Sequence, residues 1–187
     1  MVESNFVGRG GLKIQSVATK LGLNFKNKVI LDVGSSTGGF TDFALQNGAK
    51  HVIAVDLGVM QLHKSLRADQ RIELHEKTDI RSMTILSALP DIILIDVSFV
   101  SLRDILPAIL GIIPKSAELA VLVKPQFEAS AHEKNHGIIK NDNIRRQILK
   151  DFENWSSKYF VILRKADSEI HGSKGNSERF YLLKKLG

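Results

Sequence analysis

With 187 residues the chain is long enough for one domain with a substantial core, and the absence of cysteine excludes disulfides, thiolate metal sites and cysteine nucleophiles. The net charge of +6 is uneven: residues 29–129 carry 9 Lys and Arg against 12 Asp and Glu, whereas 1–28 carry 5 against 1 and 130–187 carry 12 against 7. Basic ends around a slightly acidic middle suit a polyanionic partner as well as plain solubility, and apolar runs of strand length exclude a membrane-spanning helix.

The first residues, MVESNFVGRGGLK, lack the apolar core of a signal peptide, so a cytoplasmic setting is expected, and residues 1–28 read as a basic N-terminal extension of a single domain spanning 1–187. Strand candidates follow at Val29–Val33, His51–Asp56, Ile72–His75, Asp91–Asp96, Glu118–Lys124, Tyr159–Arg164 and Arg179–Leu183. Between most of them lie stretches with helical spacing of apolar residues, at Phe40–Asn47, Leu102–Ile113 and Asn143–Ser156. Continuously apolar strands alternating with amphipathic helices predict an α/β fold, a doubly wound and mostly parallel seven-stranded sheet covered on both faces. Only a short Gly/Ser loop, Ser168 to Ser177, separates the last two strand candidates, so they are expected to pair antiparallel. The polar segment Ala129–Asn143, which holds two of the six histidines, reads as a mobile loop beside a site.

The first strand runs into Asp32-Val-Gly-Ser-Ser-Thr-Gly-Gly-Phe-Thr41, the position at which open α/β sheets bind nucleotide-type ligands. The dinucleotide fingerprint needs a glycine two places after the first, where the backbone touches a pyrophosphate, and that place is Ser36. No Gly-Lys-Ser/Thr cradle for a triphosphate is present either. What remains is an acid at the strand end, Asp32, and a turn of Gly34, Gly38 and Gly39 around a ligand without phosphates. The second strand ends in Asp56, 22 residues after Gly34, where a carboxylate can accept both hydroxyls of a ribose. An adenosyl group fits, and the sulfonium and ammonium of S-adenosylmethionine suit an acidic pocket made by Asp32, Asp56 and Asp79. A glycine turn with helix-capping aspartates is the plainer alternative.

Two further strands end in Asp96 and Lys124, on the same rim as the glycine turn. Each alone also fits a structural role, as a helix cap or as half of an ion pair.

The strings VGRGGLK (7–13), LDVGSSTGGFTD (31–42), AVDLGVMQL (54–62), TDIRSM (78–83), IDVSFVSL (95–102), VKPQFE (123–128) and GSKGNSERFYLL (172–183) resemble the hemolysin A family of ribosomal RNA methyltransferases. That family is similar in fold to the FtsJ-type 2′-O-methyltransferases, and the likeness covers residues 6 to 187. It implies a class I, Rossmann-like fold with an antiparallel last strand, S-adenosyl-L-methionine as cofactor, and ribose 2′-O-methylation of ribosomal RNA at a cytidine. By motif, the Lys-Asp-Lys-Glu tetrad of the FtsJ-type enzymes falls on Lys13, Asp96, Lys124 and Glu178. Lys124 is then the base for a ribose hydroxyl and Lys13 a second cation, while Asp96 and Glu178 orient the lysines and the hydroxyl. The same resemblance places the cofactor pocket on Gly34, Ser36, Gly38, Gly39, Phe40, Thr41, Asp56, Asp79 and Ile80, with Ser98 beside the transferred methyl.

The chemistry agrees, since a ribose hydroxyl is a poor nucleophile near neutral pH and must lose its proton as it attacks. A neutral amine can take that proton, and no metal is required. Family members usually carry an N-terminal RNA-binding module of the ribosomal S4 type, whereas here Met1–Phe6 runs straight into the catalytic motif. RNA, or a ribosomal subunit, would then be held by basic residues such as Arg9, Lys140, Arg145 and Arg146. Two other readings stay open at this point: methylation of a small molecule or protein, and the membrane activity that the family's name suggests.

Overall fold

The computed structural model describes residues 5–130 and 137–187. Its centre is one seven-stranded sheet of β1 (Val29–Val33), β2 (His51–Val55), β3 (Ile72–His75), β4 (Ile92–Ile95), β5 (Glu118–Val123), β6 (Phe160–Asp167) and β7 (Arg179–Lys185). The strand order is β3-β2-β1-β4-β5-β7-β6. Strands β1 to β5 pair in parallel, and β7 lies antiparallel between β5 and β6. The expected doubly wound sheet with an antiparallel last strand is therefore present.

Successive strand residues point to opposite faces, which divides the apolar runs between two cores. Leu31, Val33, Ile93 and Val121 pack on one face with α4 (Leu102–Leu110) and α6 (Asp142–Ser156). Ile30, Val52, Leu94 and Ala120 pack on the other with α1 (Arg9–Leu21) and α2 (Gly39–Gln46). Helix α1 buries Ile14, Val17 and Leu21 at helical spacing, and Gly22, left-handed at φ 70°, stops it. The basic extension is thus anchored by an amphipathic helix. Short helices α3 (Lys64–Arg67) and α5 (Pro125–Glu128) and a 3₁₀ turn at Ile80–Ser82 complete the described chain.

Several boundaries differ from the pattern in the sequence. Strand β6 continues to Asp167, because β7 offers it partners as far as Arg179, and a bulge between Ile162 and Arg164 interrupts the alternation that marks a strand. Helix α4 ends at Leu110, ahead of the expected Ile113. Of the segment 129–143, residues 131–136 with both histidines lie outside the described residues, and Asn141 caps α6 by accepting from Asn143 N and Ile144 N. Among the described residues no helix is long and apolar enough to cross a membrane.

The strand order reverses between β1 and β4, and the crevice beyond their carboxyl ends is where this architecture places ligands. Asp32, Asp56, Asp96 and Lys124 all stand at that rim.

Candidate active site

The loop after β1 is shaped by Gly34 more than by any other residue. Its φ is +83°, and a Cβ there would lie 2.7 Å from the carbonyl oxygen of Asp96, so no side chain fits. Ser36 is itself left-handed, with φ 48°, and its amide donates to Asp56 Oδ2 at 2.7 Å. The other oxygen, Asp56 Oδ1, accepts from Gly58 N at 2.6 Å. The second strand's carboxylate is thereby fixed against the glycine loop.

Beyond this loop a cavity of about 710 Å³ opens between the ends of β1, β2 and β4. Of the residues expected to hold a cofactor, Gly34, Ser36, Asp56, Asp79, Ile80 and Ser98 line it. Asp79 caps the 3₁₀ turn and pairs with Arg81, whose hydrogen bonds hold its carboxyl below the usual carboxylate range. Asp32, Gly38 and Thr41 line neither this cavity nor its neighbour, while Gly39 and Phe40 line the neighbour. Asp32 is fully buried beneath the loop, where Oδ2 accepts from Thr41 Oγ1 at 2.6 Å and Oδ1 has no partner. Burial pushes this carboxyl up to about 7, with Asp96 and Asp56 adding repulsion.

A second cavity of about 380 Å³ adjoins the first, and the two share Gly34, Ser36, Asp96 and Ser98 as walls. Lys124 lines this second cavity together with Arg9. Lys124 Nζ stands 2.5 Å from Asp96 Oδ1, a charge contact without hydrogen-bond alignment, and donates to Ser98 Oγ at 2.8 Å. A lysine with 7% of its surface exposed thus meets the boundary between two cavities, in company with one carboxylate and one hydroxyl.

The other two tetrad positions form their own pair. Lys13 Nζ donates to Glu178 Oε2 at 2.7 Å, both side chains being buried, and lines neither cavity. Gln126, two residues after Lys124, donates to Glu178 Oε1 at 3.4 Å and links the pairs. Of the residues expected at the RNA, Arg9 is exposed and donates to His171 O at 2.6 Å, and Lys140 and Arg146 are exposed. Arg145 is engaged within the fold, donating to Asp167 at 2.5 Å and to Ser177 O at 3.1 Å.

Several residues that line the larger cavity lie outside the expected set, Leu57, Gln61 and Phe99 among them. Nothing in the type of Leu57 and Gln61 marks them. Phe99 is 92% exposed and left-handed at φ 65°, with its ring 5.2 Å from that of Phe127. An aromatic one residue past Ser98 in a loop after a strand end was a legible signal. Glu128 accepts from Ser101 Oγ at 2.6 Å and Leu102 N at 2.8 Å, which ties the loop of Asp96 and Ser98 to the helix after Lys124. Burial raises its carboxyl above the ordinary range.

The residues fit an adenosyl sulfonium: the cavity is walled by the carboxylates of Asp56, Asp79 and Asp96 and bounded by the tight turn of Gly34 and Ser36. With β7 antiparallel in a doubly wound sheet, the fold is that of the class I methyltransferases. The model of the FtsJ-like methyltransferases matches residues 6–186, and the chain belongs to that family. It is 40% identical over 178 residues to YqxC of Bacillus subtilis, a match that covers 92% of this chain and 63% of that protein. Against the 23S rRNA (cytidine-2′-O)-methyltransferase TlyA of Campylobacter jejuni it is 38% identical, covering 94% of this chain and 70% of that enzyme. A solved structure from Lactococcus lactis, described as of the hemolysin type, superposes with a TM-score of 0.94 at 38% identity over 99% of this chain and 91% of that one.

Proposed function

We propose that the chain methylates the 2′-hydroxyl of a ribose in ribosomal RNA, at a cytidine, using S-adenosylmethionine, in the cytoplasm where ribosomal subunits are found. The observation that carries this reading is Lys124 at the seam of two cavities, the larger walled by Asp56 and Asp79 and the smaller by Arg9. An acidic compartment suits a cationic cofactor and a basic one suits a polyanion, and the groups between them are those needed to activate a hydroxyl.

When bound, the cofactor supplies an electrophilic methyl group on a sulfonium. Asp56 would hold its ribose hydroxyls, Asp79 and Ile80 its adenine end, and Gly34 and Ser36 the turn between. Lys124 Nζ, in its neutral form, takes the proton of the acceptor hydroxyl as the new carbon–oxygen bond forms. Asp96 then faces the resulting ammonium at close range. Ser98 Oγ, bonded to the same nitrogen, limits its rotation and aims the amine. Phe99 offers an exposed ring at the mouth on which a base can stack. Lys13 and Glu178 act at one remove, by fixing α1 against β7.

The test is transfer of labelled methyl from S-adenosylmethionine to separate samples of 16S RNA, 23S RNA, intact subunits and protein extract. Label resistant to alkaline cleavage at a single cytidine is expected. Label on protein alone, or on no acceptor, would overturn the reading.

A further inference from the structure

The smaller cavity has a wall that the reaction itself does not require. Helices α1 and α2 both present their first residues to it, α1 from its Gly8 cap and α2 from Gly39, and neither helix has a side-chain cap. The two first turns touch: a Cβ on Gly39 would lie 2.7 Å from Gly11 N and 2.9 Å from Gly10 Cα. Gly8, Arg9, Gly10, Gly39 and Phe40 therefore line the cavity from two helix starts at once. First-turn amides lack the acceptor four residues back, although Gly11 N here donates to Gly8 O at 3.1 Å, and the positive ends of both dipoles meet at this wall. The first turn of α1 has no acidic residue, and Asp42 in α2 is occupied by Val7 N and Gln46 and does not line the cavity. Among the described residues, the one carboxylate on the wall is Asp96, paired with Lys124.

An independent feature points the same way. Ser35 lines this cavity with only 5% of its surface exposed, and its Oγ has no hydrogen-bond partner. A buried hydroxyl left without a partner is costly to a fold, and a ligand oxygen would satisfy it.

We propose that this wall binds a backbone phosphate of the acceptor RNA, the one on the 3′-oxygen of the target ribose. The assignment rests on the RNA reading above. The 2′ and 3′ oxygens sit on adjacent carbons, so a hydroxyl presented to Lys124 brings that phosphorus within a few bonds of the same cavity. The amides of Arg9 and Gly10, Ser35 Oγ and the Arg9 guanidinium are the donors, and they position the strand without reading its sequence.

Two variants test the site without endangering the fold. Arg9→Asp places an acid in the first turn of α1, which suits the helix dipole, and Ser35→Ala removes a hydroxyl that bonds nothing. Loss of a charge-assisted contact should raise the Michaelis constant for RNA about tenfold or more in Arg9→Asp, with a smaller rise in Ser35→Ala. Melting temperature and S-adenosylhomocysteine affinity should stay unchanged in both. Inorganic phosphate titrated into the wild type should shift the amide resonances of Arg9, Gly10 and Ser35, and should do so far less in Arg9→Asp. Unmoved amides, or displacement of phosphate by S-adenosylhomocysteine, would overturn the proposal. Methyl transfer to RNA by the wild type with an unchanged Michaelis constant in both variants would defeat the phosphate site alone. No transfer to RNA by the wild type would defeat the underlying reading, and this assignment with it.

Discussion

The site contains two lysine–carboxylate pairs that are alike in chemistry and unlike in setting. Asp96 borders both cavities and Lys124 the smaller one, whereas Lys13 and Glu178 are enclosed and reach across the fold from α1 to the start of β7. On the proposed reading, the same pair of functional groups serves a reaction in one place and cohesion in the other. What separates them is access to a reacting atom, and proximity in a motif does not reveal it.

The largest effect expected from that difference is on rate. Lys124→Ala should lower methylation by about 10²–10⁴, the usual contribution of a positioned base, with cofactor affinity nearly intact. Lys124→Arg should fail as badly, since a guanidinium does not give up its proton. Single-turnover transfer measures both, and a near wild-type rate in either would erase the distinction between the pairs.

The enclosed pair should respond in stability. Removing one partner leaves a buried charge uncompensated, so Lys13→Ala or Glu178→Ala should cost roughly 3–5 kcal/mol in denaturant unfolding. Replacing both partners together, Lys13→Met with Glu178→Leu, should restore most of that loss, because apolar substitutes for a buried pair are often neutral or better. The double variant should also keep more activity than Lys124→Ala. A stable double variant with the Lys124→Ala rate would instead assign Lys13 to the chemistry.

A smaller effect belongs to the acid side. Asp56→Ala should weaken S-adenosylhomocysteine by about 1–3 kcal/mol, read by calorimetry, if its carboxylate receives ribose hydroxyls. The smallest belongs to an exposed counterpart of the buried pair, Asp167 with Arg145 and Arg179. Hydrogen bonds from Arg179, then Arg145, hold the Asp167 carboxyl down to about 2, from an ordinary 3.8. Its contribution is therefore present above pH 3.8 and fades as pH falls toward 2. With half of the side chain exposed, Asp167→Asn should cost no more than about 1 kcal/mol at neutral pH, and the difference from wild type should vanish in acid.

Legibility in the sequence followed how local the cause was. Strands β1, β4 and β5 are continuous apolar runs because helices cover both their faces, and such runs announce themselves. Asp56, Gly34 and Ser36 were readable because their spacing follows from one βαβ unit. Thr41 and Asp32 look like pocket residues in the motif, yet the turn folds them underneath, where they bond to each other. The family resemblance grouped Lys13 and Glu178 with Lys124 and Asp96, but their position outside both cavities was not readable, since it depends on the insertion of β7 between β5 and β6. Phe99 was marked only by its place after Ser98, since its exposure and left-handed backbone are properties of coordinates.

The bonds from Arg9 to His171 and from Lys13 to Glu178 span 162 and 165 positions of the chain, whereas every wall of the larger cavity lies between Val33 and Ile105. Contacts so distant in sequence carry the heaviest loop-closure entropy and form late. A chain emerging from its own ribosome would therefore complete the walls of its cofactor pocket well before β7 arrives to lock the acceptor side. The unfinished enzyme would be held silent by the order in which its parts are made.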